Sequence, residues 1–309
     1  MDWEFFVQQV VNGVTLGSVY ALVALGYSLV YGILKLLNFA HGDVYMIGAF
    51  IGYGVLALFG GSVDPVIPIP LLILLMFLTA MIGCAVLGAA IERFAYRPLR
   101  NAPRIAPLIS ALGVSFFLQN SALLLFSPNF RSYDSFSFYD GRLFLPLTAG
   151  PLHISPIRIL VISSALGLMV ALTLFVGRTQ LGRAMRATAF DREAAAMMGI
   201  DVDRVIVIAF LIGSALAGAA GVMIGLVFQR VFHTMGFVAG LKGFAAAVVG
   251  GIGSIPGAVI GGLVMGISEY LVVGYVSSTY RDGIAFVILI LVLLVKPAGL
   301  LGRHVAEKV

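Results

Sequence analysis

The chain has 309 residues, of which 61% are hydrophobic and only 11% charged, with a mean hydropathy of +1.07. A soluble domain carries about 25% charged residues, so this composition excludes one and indicates an all-α, polytopic membrane protein. The formal net charge is +5, but the arginines gather in loops beside apolar runs, as topology determinants do, and make no nucleic-acid footprint.

The opening MDWEFF carries acids and no basic region, so no cleavable signal peptide is expected. Residues 5–34 carry no charge and exceed the ~20 residues that a span needs. Their polar members Gln8, Gln9, Asn12 and Thr15 lie in the first half. Gly13 and Gly17 form a GxxxG face suited to close helix contact. Lys35 follows, then a polar stretch with Asn38, His41 and Asp43, and a second apolar run at 44–61. Asp64, Pro65, Pro68 and Pro70 make a stiff loop before a third run at 71–91, which holds Cys84. A single cysteine allows no internal disulfide. Arg93, Arg97, Arg100 and Arg104 then crowd a segment with one acid, Glu92, which marks it as cytoplasmic. A fourth span is expected at 107–126. The loop 127–156, with Tyr133, Asp134, Phe136, Phe138, Tyr139 and Asp140, is the longest candidate for outside structure, and a fifth span follows at 159–176.

The next polar break, 177–204, is rich in Ala, Met and Arg between 183 and 198, which predicts one helix there. Ala187, Phe190, Ala194, Met197 and Met198 form an apolar stripe at helical spacing. Gly199 stands where a C′ glycine would end the helix, and Asp201 or Asp203 can cap the next one. An apolar stripe in a water-facing loop needs a lipid surface or a partner protein. With Arg178, Arg183, Arg186, Arg192 and Arg204, this loop is again expected inside.

A sixth span covers 205–227. Residues 241–273 hold two apolar pieces joined by GGIGSIPGA, and a last run spans 284–295 before Lys296, Arg303 and Lys308. A cytoplasmic C-terminus requires 241–273 to be an out-and-back hairpin, a short helix and a full one, turning at Gly253-Ser254-Ile255-Pro256. The N-terminus then lies outside. About eight or nine spanning or re-entrant helices result. Lys242 and Glu269 fall near the ends of their apolar pieces, where snorkelling to the interface is the expected behaviour.

Glu193-Ala194-Ala195 followed by Gly199 resembles the EAA loop with which ABC-importer permeases dock on their ATPases. The resemblance implies that Arg186, Phe190, Glu193, Ala194, Ala195, Met197 and Gly199 couple to an ATPase subunit. The family pattern continues to an Ile-x-Leu-Pro, whereas this chain has Ile208-Ala209-Phe210-Leu211. Residues 12–50, 240–270 and 296–302 closely resemble signatures of branched-chain amino-acid permeases, most of all their H-type subunits. Permeases for urea and short amides look similar over the same motifs. The resemblance implies one permease domain over 1–309, a bacterial inner membrane and uptake of leucine, isoleucine or valine. It also implies a second related permease subunit, two ATPase subunits that bind the ATP, and a periplasmic binding protein.

Asn38, His41 and Asp43 are candidates for the substrate pathway because polar groups at membrane depth are functional by default. Capping of the second span is the plainer reading. Asn12 and Thr15, on the first span, join them as candidates. At the turn, Gly253 and Ser254 qualify because half-helix ends in transporters aim their dipoles at substrate. His41 has no partner at zinc-ligand spacing, and no GxxxxGK[ST] occurs anywhere, so no cofactor, metal or catalytic residue is expected in this chain. A secondary transporter would carry acids within its spans for ion coupling. An intramembrane enzyme would need catalytic groups paired at one depth.

Overall fold

The computed structural model describes residues 3–59, 67–100, 102–103, 105–133, 147–149 and 152–302. In lipid the backbone must satisfy its own polar groups, and each long apolar run accordingly closes into a helix. In chain order these are α1 (Trp3–Leu34), α2 (His41–Phe59), α3 (Ile69–Ile91), α4 (Ile105–Phe126), α5 (Pro156–Arg178), α6 (Gln180–Phe190) and α7 (Arg192–Met197). They continue with α8 (Val202–Phe228), α9 (Met235–Gly250), α10 (Ile255–Tyr275) and α11 (Arg281–Val295). Eight helical segments among the described residues are long and apolar enough to cross a membrane, and α9 is a shorter apolar one. Positions 64, 65, 104, 134–140, 303 and 308 lie outside the described residues.

Several expected boundaries shift. The third span runs on through a π-helical turn, Glu92–Tyr96, and a 3-10 turn, Arg97–Leu99, so the first arginine cluster begins on a helix. Short strands also occur: β1 (Arg131–Ser132) pairs antiparallel with β4 (Arg230–Val231), and β2 (Leu147–Ala149) with β3 (Leu152–Ile154). Tyr133, read as part of an outside loop, is buried, and its hydroxyl donates to the Ala49 carbonyl of α2.

At 1.5 Å per residue, α1 is about 48 Å long against a hydrocarbon core of about 30 Å, long enough to cross with tilt or to extend past the core. It is the central helix, buried along nearly all of its apolar stretch. Its small-residue face meets the small-residue face of α10. A Cβ on Gly17 would lie 2.9 Å from Leu263 Cα, and one on Gly13 would lie 2.6 Å from Ile267 Cα. The two backbones therefore touch, which is the contact that GxxxG spacing permits.

One face gathers the C-terminal end of α1, the arginine cluster, α7, the α9–α10 turn and the C-terminal turn. Arg192 donates to the Ile33 carbonyl at 2.8 Å, Arg97 pairs with Asp203 at 3.3 Å, and Leu300 N–H reaches the Val249 carbonyl at 2.8 Å. At the opposite end, Phe5 packs edge-on against Tyr275 at 5.5 Å. The hairpin expected from charge parity is present: α9 and α10 reverse at 251–254, and α1 begins at the end opposite the cluster of Arg97, Arg100 and Arg192.

The α1–α10 contact has a direct test. Gly17→Leu is expected to destabilise the protein by about 1–3 kcal/mol through overpacking. Gly113→Leu, whose Cβ meets nothing within 4 Å, is expected to be near neutral. Thermal unfolding of both variants in the same lipid decides, and equal losses would remove this contact from the account.

Candidate functional sites

The loop 177–204 forms two helices where one was expected. Asp191 breaks the run with φ −151° and ψ 116° and becomes the N-cap of α7, its carboxylate accepting from Ala194 N–H at 3.0 Å. A short acceptor side chain offers the backbone a cap in place of helix continuation. At the far end Gly199 takes φ +83°. Its N–H bonds the Ala196 carbonyl at 3.0 Å and Ile200 N–H bonds the Ala195 carbonyl at 3.1 Å, the Schellman closure. Of the two aspartates after it, Asp201 is the cap of α8, accepting from Arg204 N–H at 3.0 Å.

This break divides the expected stripe. Ala195 is buried against the protein, while Phe190, Met197 and Met198 are 96%, 82% and 83% exposed. Ala194 is half-buried, and Ala187 and Glu193 face outward. Glu193 lies in the first turn of α7, where negative charge suits the helix dipole. Arg186 reaches back to the Val176 carbonyl of α5, and Arg192 anchors α7 on the last turn of α1. Both arginines thus satisfy carbonyls that helix ends leave unpaired. Burial, then the neighbouring Arg100, pulls the Arg192 guanidinium below its ordinary pKa; burial, then Arg192, does the same to Lys35. Lys35, Arg100 and Arg192 surround a small cavity of about 270 Å³ on this face.

The remaining sequence candidates fall in three places. Asn38, His41 and Asp43 come together where α2 begins. Asn38 accepts from Ala40 N–H and from the Tyr96 hydroxyl, both at 3.2 Å. His41 packs against Tyr27 and Gly26, which lies about 12 Å along α1 from Leu34. The chain therefore dips back among the helices before α2 starts. Asp43 accepts from the Ser115 hydroxyl of α4, while its second carboxylate oxygen has no partner and abuts Gly236 of α9. Asn12 and Thr15 sit on α1: Asn12 accepts from Gln8 at 3.0 Å and from Arg158 of α5, and Thr15 bonds the Val11 carbonyl at 2.8 Å within its own helix. Gly253 takes φ +90° at the turn, and Ser254 caps α10 by accepting from Gly257 N–H at 3.2 Å.

The charged cluster of the interior lies elsewhere, at Lys242 and Glu269. Snorkelling was expected of them; instead their side chains are 5% and 1% exposed and pair at 3.0 Å. Glu269 stands in the second half of α10 among helices rather than at an interface, and it also accepts from the Tyr20 hydroxyl at 2.9 Å and from Arg281. Lys242 extends further to Asp282 at 2.6 Å. Beside this cluster is a cavity of about 840 Å³, reaching Ser132 and Arg230 of the β1–β4 pair and lined also by Tyr20, Phe228, Lys242, Arg281 and Asp282. None of the seven candidates Asn12, Thr15, Asn38, His41, Asp43, Gly253 and Ser254 is among its lining residues.

Residues 9–293 match the family model described as branched-chain amino acid transport system / permease component. The chain belongs to that family. It is 45% identical over 307 residues to the high-affinity branched-chain amino acid transport system permease protein LivH of Salmonella typhimurium, covering 99% of this chain and 98% of that one. It is equally 45% identical to the permease protein BraD of Pseudomonas aeruginosa, over 98% of each chain. It is 29% identical to a probable branched-chain amino acid transport permease protein LivH of Methanocaldococcus jannaschii, over 92% of this chain and 89% of that one.

For a permease of this family, the sequence reading passed over Lys242, Glu269, Arg281 and Asp282 as a unit. Their signal was available: two acids and two bases inside or beside three consecutive apolar runs, groups that at membrane depth commonly pair with one another.

The Schellman closure of α7 makes Gly199 a point of control. Gly199→Val is expected to cost about 1–2 kcal/mol locally because a β-branched residue opposes positive φ. Amide exchange over 192–200 should accelerate by about 5–30-fold with the global unfolding temperature unchanged. Unchanged exchange would mean that the glycine is dispensable for the end of α7.

Proposed function

We propose that this chain is the permease subunit of an ABC importer that carries branched-chain amino acids across the bacterial inner membrane. Two ATPase subunits supply the energy, a second related permease completes the channel, and a periplasmic protein delivers the substrate. ATP is bound by the ATPase subunits. The chain is a single transport domain with no reaction of its own to catalyse.

The observation that carries this reading is the apolar surface on α6 and α7. Full-length membership in a permease family makes the chain a transport component, and exposed Phe190, Met197 and Met198 on a water-facing, arginine-rich surface supply what an ATPase can grip. The positive-inside rule favours a cytoplasmic location for that face, which makes the N-terminus periplasmic and the C-terminus cytoplasmic. Force applied at α7 passes to α1 through Arg192 and the Ile33 carbonyl, and to α8 through the tight turn at Gly199. Motion of α1 then changes the cavity, because Tyr20 is part of its wall.

Proteoliposomes holding the assembled complex are expected to take up labelled leucine with ATP hydrolysis, and urea in excess is expected not to compete. Uptake of urea in place of leucine would reassign the substrate. Phe190→Asp combined with Met197→Glu is expected to leave the permease in the membrane at normal abundance while reducing co-purified ATPase by at least about tenfold, a change of ~1.4 kcal/mol. Full retention of the ATPase by this variant would end the coupling role of α6 and α7.

A further inference from the structure

The cavity beside the charge cluster has a wall of unusual composition for an apolar protein. Lys242 and Arg281 bring positive charge to it and Asp282 brings negative charge, while Phe228 and Val238 supply apolar surface. Glu269 lies behind the wall, bonded to Lys242, Arg281 and Tyr20. Buried ions of this kind are costly at membrane depth and persist where they serve a pathway.

The pattern of satisfied and free groups is informative. Arg281 engages Glu269 through Nε, and its ring contacts with Phe228 at 5.1 Å and Tyr270 at 6.0 Å hold the guanidinium plane. The outer edge of a guanidinium so held matches the two oxygens of a carboxylate. Asp282 is 66% exposed in its side chain and meets Lys242 through Oδ1 only. Its second oxygen can accept from an ammonium group. Cation and anion thus stand side by side on one wall with an apolar surface adjoining them.

The geometry points to this wall as a site for a zwitterionic α-amino acid: Arg281, backed by Lys242, receives the carboxylate, Asp282 receives the ammonium, and the Phe228–Val238 side takes the aliphatic chain. This rests on the proposed transport of branched-chain amino acids and gives that substrate a site in the permease itself. An ion pair that is internally balanced by Glu269 can bind a net-neutral, two-ended ligand without leaving an uncompensated charge.

The test uses the purified full-length chain in lipid nanodiscs, where both faces are accessible. Val238→Cys places a thiol on the cavity wall, and native Cys84, being buried, serves as the unreactive control. Millimolar leucine is expected to slow maleimide labelling of that thiol by about fivefold, the free fraction left when ligand exceeds its Kd about fourfold. The amine 4-methylpentan-1-amine, which lacks the carboxylate, and 4-methylpentanoate, which lacks the ammonium, are expected to leave the rate unchanged. Adding Asp282→Asn or Arg281→Gln is expected to abolish protection by leucine; Asp282, the more exposed, guards against misfolding, checked by an unaltered unfolding temperature. Protection by either one-ended analogue as strong as that by leucine would overturn the site, as would protection surviving Asp282→Asn. Absent protection in the parent with normal leucine uptake by the complex would overturn this inference alone. Absent leucine uptake would overturn the transport reading, and protection by urea instead of leucine would overturn both.

Discussion

The arrangement of this protein depends on one buried ionic cluster. Among helices that are apolar on every side, hydrophobicity gives no preference for one neighbour over another, because lipid tails are as apolar as leucine. Glu269 removes that degeneracy. It draws together Tyr20 of α1, Lys242 of α9 and Arg281 of α11 around its own helix α10, and in this pairing each of the four groups has a partner. Two acids and two bases cancel, so the cluster holds no net charge in the bilayer.

Small residues supply the complementary constraint. The cluster says which helices meet, and the glycines of α1 and α10 say how closely. Where Gly13 and Gly17 face Ile267 and Leu263, backbones touch and dispersion contacts accumulate. A rigid α1–α10 pair results, with its far end held by Arg192 of α7. The pair links the arginine-rich face, through Arg192 and the Ile33 carbonyl, to the cavity wall at Tyr20.

Much of the fold was legible because the signals were periodic or compositional. Charge-free runs gave the spans, arginine distribution gave the shared face, and parity alone required α9 and α10 to form a hairpin. Gly199 and Asp201 were readable because helix ends have local chemistry. Asp191 was not read as a break, since a helical stripe ran through it and its capping bond competes at a single residue. The cluster escaped for a different reason: Lys242 and Glu269 are 27 residues apart, and only the hairpin geometry brings them together. Asn38, His41 and Asp43 stood out because they lie close together in sequence, yet they bond and pack around the start of α2 and stay off the cavity wall. Density along the chain signalled polarity without signalling access.

The central claim is that Glu269 and Lys242 hold the helices together as a pair. Its most direct measurement is a double-mutant cycle on unfolding free energy in nanodiscs, using Lys242→Met, Glu269→Gln and the two combined. Each single change leaves the cluster with one uncompensated charge, because Arg281 still meets Glu269 and Asp282 still meets Lys242, and is predicted to cost about 3–5 kcal/mol. The double variant leaves Arg281 and Asp282 in balance, so its loss is predicted to fall short of the sum by about 1–3 kcal/mol. Strictly additive losses, or singles that lose nothing, would contradict the account.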